Sequence, residues 1–407
     1  MRSLPAIFLL WWLPVLAGAQ SLIRGTVVIA ESGKPLAGAS VFIANSAKGT
    51  TADSGGNFEL AGLPPGRHEL VISFVGYETN VYAFSSEQLP LRLRVEMRPR
   101  IQELGNVTVE PSVEEGWDKW GRVFLENFVG LSDNAAHCRL LNTQDIRFRF
   151  FRKSNRLIAY ADKPIKIENK ALGYYLHFQL EDFEVNFREQ SSVFTGYPLF
   201  EEMNKKRNGL VERWKRNREK AYYGSMMHFM RALYQDSLAQ AGFMVRRLRR
   251  LPNLEKKRVQ QIFRMQVSGS GGTIRISTPA ASAVQPADSA DYYERVLGQP
   301  DLIDEYGASL LNADSLLAGR DGNYKAIYFP DYLSVVYPRA LEEEGYLRNW
   351  GEKRRPAARQ SMITLLGSAA VWTDINGNYF PARSVFSGGY WGWSEKIANL
   401  LPLEYRP

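Results

Sequence analysis

The stretch Thr51-Ala52-Asp53-Ser54-Gly55-Gly56-Asn57-Phe58, followed by Leu63-Pro64-Pro65-Gly66, decides how the N-terminal end of this chain folds. Asp53-Ser54-Gly55-Gly56-Asn57 is a hairpin turn, and Phe58 and Leu60 alternate with polar residues after it. Leu63-Pro64-Pro65-Gly66 fits a turn with Pro at the first central position and Gly at the second, where positive φ is needed. Downstream, His68, Leu70, Ile72 and Phe74 share one face of a strand. Leu91, Leu93, Val95 and Met97 share one face of another, with Arg92, Arg94, Glu96 and Arg98 on its wet side. Upstream, Gly33-Lys34-Pro35 and Ala37-Gly38 break the first strand pair. Strict alternation implies antiparallel strands with one solvated side, and turns this closely spaced imply a sandwich.

Five segments in order carry a family resemblance: Ile23-Arg24-Gly25-Thr26-Val27-Val28, Gly33-Lys34-Pro35-Leu36-Ala37-Gly38-Ala39-Ser40-Val41, the 51–58 stretch, the 63–66 turn, and Phe74-Val75-Gly76-Tyr77-Glu78. Residues 21–98 resemble the carboxypeptidase regulatory-like (transthyretin-like) domain that opens many Bacteroidetes envelope proteins. The resemblance implies a seven-stranded-type antiparallel β-sandwich and no catalytic activity of its own. In the metallocarboxypeptidases zinc is held by a His-x-x-Glu pair in a separate catalytic domain. Here Val71, Leu140, Leu180 and Arg231 stand three residues after the four histidines, and no His-Glu-x-x-His occurs. No metal or other cofactor is expected.

Working outward, residues 1–19 read as a signal peptide. Arg2 gives a positive start, Leu4 to Leu16 are apolar, and Ala17-Gly18-Ala19 precedes Gln20 as a small-x-small cleavage site. That apolar run is shorter than the roughly 20 residues a spanning helix needs. Cys138 is the only cysteine, which excludes an intrachain disulfide, a Cys-rich zinc module and a lipid-modified cysteine at the cleavage site. The formal charge is +8, and residues 205–258 alone carry sixteen Lys or Arg against four Asp or Glu. Any electrostatic function is therefore expected in that segment.

Residues 99–111 read as a linker and 112–407 as a mixed α+β body, so the fold class is α+β. Ser112 and Glu115 suggest a capping box ahead of a helix whose apolar face is Val113, Trp117, Trp120, Phe124, Phe128 and Leu131. Tryptophans at that spacing are core residues more often than a ligand box. Strands follow at 146–150 and 174–187, where the apolar parity slips near Glu181-Asp182 and marks a turn or bulge. Residues 210–241 read as one long helix, interrupted by Arg218 and kinked at Gly224. Residues 280–290 read as an exposed loop, and strands resume at 326–337 and 361–372. The segments 196–203, 221–231 and 389–393 are similar to the region after the sandwich in uncharacterised Bacteroidetes proteins of this kind.

Motifs with chemistry are few. Asp374-Ile375-Asn376-Gly377-Asn378 has calcium-loop flavour but lacks the glycine and acid an EF-hand needs, so a type I′ hairpin turn fits better. Ser268-Gly269-Ser270-Gly271-Gly272 lacks a phosphate loop's Lys and reads as a flexible turn. Asp236-Ser237-Leu238, Asp288-Ser289-Ala290 and Asp314-Ser315-Leu316 resemble short O-glycosylation acceptors, the Asp288 copy best placed. Tyr390, Trp391 and Trp393, set among glycines, are either a sugar-stacking ligand patch or, two apart on a strand, a plug for the core. Arg246, Arg247, Arg249 and Arg250 are a candidate anionic docking surface, with a solvated face as the plainer reading.

These readings point to an exported, non-catalytic binding or assembly module, in the periplasm or at the outer membrane. Its expected partner is another envelope protein, a glycan or an anionic membrane surface, and not nucleic acid. The alternative is a hydrolase acting on peptide or glycan. That reading requires convergent, perturbed carboxylates in a pocket.

Overall fold

The computed structural model describes residues 22–100, 110–204, 208–267 and 290–407. The leader expected at 1–19, most of the linker expected at 99–111, the turn expected at 268–272 and residues 280–289 of the expected loop, with Asp288, lie outside the described residues. The chain divides into two compact units. One comprises the chain up to Tyr222 together with Lys396–Pro407, and the other is Tyr223–Glu395.

The first unit opens with seven strands: β1 (Leu22–Ile29), β2 (Ser40–Ile43), β3 (Gly49–Thr51), β4 (Asn57–Ala61), β5 (Arg67–Ser73), β6 (Asn80–Ser85) and β7 (Leu91–Met97). They form two sheets, ordered β4-β1-β7 and β3-β2-β5-β6. Ile23, Val27, Val41, Ile43, Leu70, Ile72, Phe84 and Met97 join in one core. The Asp53 turn works through its side chain. Asp53 Oδ1 accepts the N–H groups of Gly55 and Asn57, both at 2.8 Å, and Gly56 takes φ +75°. One pair departs from the antiparallel rule: β7 runs parallel to β1, from Ile23↔Leu91 to Ile29↔Met97. These two strands stand at opposite ends of the domain sequence, so no hairpin dictates their direction.

The same unit continues through β8 (Ser112–Glu115), α1 (Trp117–Phe128), β9 (Cys138–Leu140), β10 (Ile146–Phe151), β11 (Arg156–Ala161), β12 (Ile165–Asn169), β13 (Tyr174–Asn186), β14 (Ser191–Glu202) and α2 (Asn208–Tyr222). The sheet order is β8-β10-β11-β13-β12-β9, with β14 along β13. The parity slip is a register shift between Leu180 and Asp182, as the sequence predicts. Ser112 and Glu115 do not cap a helix. They belong to β8, where Val113 faces Phe150, and α1 starts after Gly116 without a side-chain cap. The free edge of β10 recruits this segment as a strand. Glu115 still serves the helix, accepting from Lys119 Nζ and Trp120 Nε1, both at 2.6 Å. Trp120 stacks near Phe150 (5.0 Å), Phe124 near Phe183 (4.6 Å) and Phe128 against Phe178 (5.0 Å), so the aromatic stripe is packing.

Helix α2 closes over the turn at 170–173. Trp214 Nε1, Asn217 Nδ2 and Arg218 Nε donate to the carbonyls of Lys170, Ala171 and Leu172 at 3.0, 2.9 and 2.7 Å. Arg218 also lies 3.9 Å over the Tyr174 ring, so the apparent interruption is an anchor. From the other side, fully buried Asn169 accepts from the N–H groups of Ala171 and Leu172 and donates to the Ala398 carbonyl of the C-terminal tail. Gly173 sits between these elements at φ +74°, where a Cβ would come 2.3 Å from the Trp214 ring.

The second unit holds α3 (Met226–Tyr234), α4 (Leu238–Ala241), β15 (Met244–Pro252), α5 (Leu254–Val267), α6 (Ala290–Leu297), β16 (Leu302–Tyr306), β17 (Leu317–Asp321), β18 (Tyr324–Ile327), β19 (Tyr332–Leu341), α7 (Glu344–Asn349), β20 (Ala358–Leu365), β21 (Val371–Thr373), β22 (Tyr379–Phe380), β23 (Val385–Gly389) and α8 (Tyr390–Ser394). Its sheets run β16-β15-β19-β20-β23 and β17-β18-β21-β22. Phe229, Met230 and Leu233 of α3 share a core with Val245, Leu333, Val335 and Ile363. The single helix expected over 210–241 is instead α2, α3 and α4. Gly224 (φ +83°) and Asp236 (φ +55°) take left-handed backbone that ends a helix rather than bending it.

Gly173→Ala should destabilise the protein by about 2 kcal/mol or more, because it meets both a steric block and a left-handed φ. Gly62→Ala, also left-handed at φ +70° but with only the end of the long Lys48 side chain, Nζ at 3.5 Å, near the added Cβ, should cost only about 1 kcal/mol. Urea unfolding of both variants measures the difference. Equal losses would show that the Trp214 contact does not constrain the turn.

Candidate functional site

Two of the segments singled out in the sequence, 221–231 and 389–393, meet at the start of α3. The turn before the helix leaves backbone groups that need partners. Ser225 caps the helix, its Oγ accepting from the His228 N–H at 3.1 Å. Trp391 Nε1 donates to the Gly224 carbonyl at 2.7 Å, and the Gly224 N–H donates to His228 Nδ1 at 3.2 Å. Glu395 Oε1 accepts the Met226 N–H at 3.1 Å. Arg359 donates to the carbonyls of Tyr223 (3.0 Å) and Leu341 (3.2 Å), with its guanidinium 4.9 Å over the Tyr390 ring. This cluster is held by hydrogen bonds from side chains to backbone.

Burial sets the charges here. Glu395 is pushed up to about 7, chiefly by desolvation, which the Met226 N–H and Arg359 only partly oppose. His228 is pushed down to about 4, again first by burial and then by Arg231 and Arg339. A neutral His228 is what the Gly224 contact requires, since Nδ1 must accept. Tyr390 is held well above the ordinary tyrosine range by burial.

The aromatic patch candidates are deep in this unit. Tyr390, Trp391 and Trp393 are 2%, 2% and 6% exposed. They lie on the short helix α8 rather than on a strand, because Gly389 (φ +64°) turns the chain out of β23. Trp391 stacks near Phe229 at 5.4 Å, and Tyr390 and Trp393 pack on each other and on Tyr346.

The docking candidates lie on β15. Arg246 donates to the carbonyls of Gly307 (3.2 Å) and Ala308 (3.1 Å). Arg250 pairs with Asp304 at 3.0 Å, and Arg249 lies 3.6 Å from Asp331. Arg247 is exposed and has no acidic partner among the described residues. The strand therefore presents far less free positive charge than its sequence suggests.

The Asp374 turn is not type I′. Asp374 Oδ1 accepts from the N–H groups of Asn376 (2.8 Å) and Asn378 (3.1 Å), and of its loop residues only Gly377 has positive φ. With φ negative at residue 376, the loop runs over residues 375–377 and ends in a glycine of positive φ. Buried Arg231 donates to the Asn376 carbonyl at 2.9 Å, tying this turn to α3. Asp236 pairs with Lys325 at 2.8 Å, and Ser315 Oγ donates to Asn312 Oδ1 at 2.5 Å. Among the described residues no three His, Cys, Asp or Glu side chains gather as a metal site. Burial pushes the Cys138 thiol up to about 12, which disfavours a reactive thiolate.

Sequence reasoning missed Arg359, Glu395 and Asn169. Each is an isolated polar residue in an ordinary context, distinguished only by its place in the fold: Arg359 and Asn169 are buried, and Glu395 is half-buried against the start of α3.

Residues 23–109 match the family described as the CarboxypepD_reg-like domain, so the chain carries that domain at its N-terminal end. No curated protein matches the chain. Among solved structures, a type II cohesin–X-dockerin complex from Acetivibrio cellulolyticus aligns at 24% identity over 19% of this chain and 57% of that one, with a TM-score of 0.17. The Bacillus anthracis TIE protein aligns at 12% identity over 46% of this chain and 32% of that one, TM-score 0.16. A Bacteroides fragilis protein described as membrane-associated and of unknown function aligns at 10% identity over 91% of this chain and 95% of that one, TM-score 0.15. The chain thus spans little more than half of the first of these. Likenesses this low support no inference about fold or function.

Glu395 and His228 titrate with opposite consequences. The folded value of Glu395 lies above its ordinary 4.5, so its stabilisation is full below about 4.5 and is lost as pH rises through about 7. The folded value of His228 lies below its ordinary 6.5, so its contribution is full above 6.5 and is lost as pH falls through about 4. Glu395→Gln should therefore stabilise the protein at pH 8 by on the order of 1–3 kcal/mol, read as a higher melting temperature, and change little at pH 4.5. A shift of equal size at both pH values would show that Glu395 is not the buried acid.

Proposed function

We propose that this is an exported, non-catalytic binding or assembly module of the bacterial cell envelope, in the periplasm or at the outer membrane. The observation that carries the reading is the CarboxypepD_reg-like sandwich at 23–109 in a chain with no His-x-x-Glu pair. The leader sequence at residues 1–19 supports export. No helix among the described residues is long and apolar enough to cross a membrane. An anionic surface is part of the proposal, with Arg247 the strand arginine best placed to contribute.

One observation favours the hydrolase alternative: Glu395 carries the raised pKa of a general acid. It already accepts the Met226 N–H, and a glycosidase-type site needs a second carboxyl group at a defined separation.

Fractionation of the native host with intact-mass measurement tests the proposal. The expected result is a chain beginning at Gln20 in the envelope fraction, without stoichiometric zinc on elemental analysis. A cytosolic chain that retains Met1, or a zinc-bound chain with chelator-sensitive peptidase activity, would overturn it.

A further inference from the structure

The β19–β20 connection, residues 342–357, is built as a rigid display. Its base is closed by the Leu341↔Ala358 pair and by the Glu342 N–H donating to the Ala357 carbonyl at 2.9 Å. Inside it, Arg354 forks onto buried Glu342 at 2.5 and 2.9 Å and pairs with Glu352, while Glu342 also accepts the Ala357 N–H at 3.0 Å. Such bidentate pairs fix geometry as well as charge. Leu347 of α7, within the loop, is buried.

What this frame holds out is an indole. Trp350, at the end of α7, is 62% exposed, and Gly351 turns the chain after it at φ +67°. Lys353 and Arg355 are exposed and have no acidic partner among the described residues. Arg348 shares only a 3.6 Å contact with Glu344, and both side chains are about three-quarters or more exposed. The loop as a whole is neutral, with Glu342, Glu343, Glu344 and Glu352 against Arg348, Lys353, Arg354 and Arg355, and Arg354 is the cation its acids engage most closely. Leu341 is 60% exposed and Tyr223 42% exposed, and their carbonyls share the guanidinium of Arg359. A single exposed apolar residue is ordinary. An exposed Trp followed three and five residues on by a Lys and an Arg without acidic partners matches the interfacial layer of a bilayer, where amphipathic rings sit at headgroup depth and cations meet phosphate.

We propose that residues 342–357 form a membrane-docking loop that places Trp350 among the headgroups of an anionic bilayer, with Lys353 and Arg355 on lipid phosphates. This deepens the envelope-module reading by naming a lipid surface. The test uses purified protein, so its outcome is independent of where the cell delivers the chain.

Flotation of the full chain with phosphatidylglycerol–phosphatidylcholine vesicles, and with phosphatidylcholine vesicles alone, reads the proposal. Binding should require the anionic lipid and weaken in high salt. The pair Lys353→Ser and Arg355→Ser should lose roughly 25-fold in partitioning, at about fivefold per cation. Trp350→Ala should lose about tenfold. These side chains are exposed, so melting temperatures should not change. Brominated lipid should quench part of the wild-type tryptophan emission, and that part should vanish in Trp350→Ala. A wild type that ignores anionic vesicles, or variants that float equally well, would overturn the proposal. So would retention of polyglutamate through this loop without vesicle binding, which would make it a protein-docking element.

Discussion

A Cβ at residue 224 would lie 2.7 Å from the Tyr337 ring, and the backbone there is left-handed at φ +83°. Those two facts together admit only glycine, and the second unit is arranged around the turn that results. Because the helical pattern of 210–241 stops here, α3 can start afresh with Ser225 as its cap. The groups exposed by the break then draw in His228 from the first turn of α3 and Trp391, Glu395 and Arg359 from distant parts of the chain. A helix running through Gly224 would satisfy its own backbone and take these partners away, at a cost of about 1–3 kcal/mol for each buried polar group left unpaired.

The same use of polar side chains recurs through the molecule. Asn169, Arg218, Arg231 and Arg359 all hydrogen-bond to backbone carbonyls of irregular segments. Turns inside a domain carry N–H and C=O groups that secondary structure cannot satisfy, so a fold with many short elements needs such residues. This explains why several features with a chemical look in the sequence are structural here. The glycine-flanked rings are packed in a core, and the Asp374 carboxylate organises its own turn. Arg246 and Arg250 answer groups on the neighbouring segment.

The Asp374 turn has a counterpart in the sandwich. Asp53-Ser54-Gly55-Gly56-Asn57 and Asp374-Ile375-Asn376-Gly377-Asn378 share the pattern Asp-x-x-Gly-Asn. In both, one Asp oxygen accepts the N–H groups two and four residues on, and the glycine takes positive φ. The hydrogen bonds lie within five residues, so the local sequence suffices to specify the turn whatever surrounds it.

Sequence by itself determined the features whose causes are local. The sandwich strands follow from alternation and turn residues, the bulge at Leu180/Asp182 from a slip in apolar parity, and the aromatic face of α1 from its spacing. It also carries, in order, the five segments by which the CarboxypepD_reg-like domain is recognised. Tertiary structure alone decided the rest. Ser112–Glu115 is a strand because β10 offers an unpaired edge, although its residues also suit a capping box. Residues 396–407 belong with the first unit because Asn169 binds the Ala398 carbonyl, a contact 229 residues apart in sequence. The strand arginines are mostly engaged because Gly307, Ala308, Asp304 and Asp331 arrive beside them. Glu395 and His228 acquire unusual proton affinities through burial, which depends on what the whole fold places around a group.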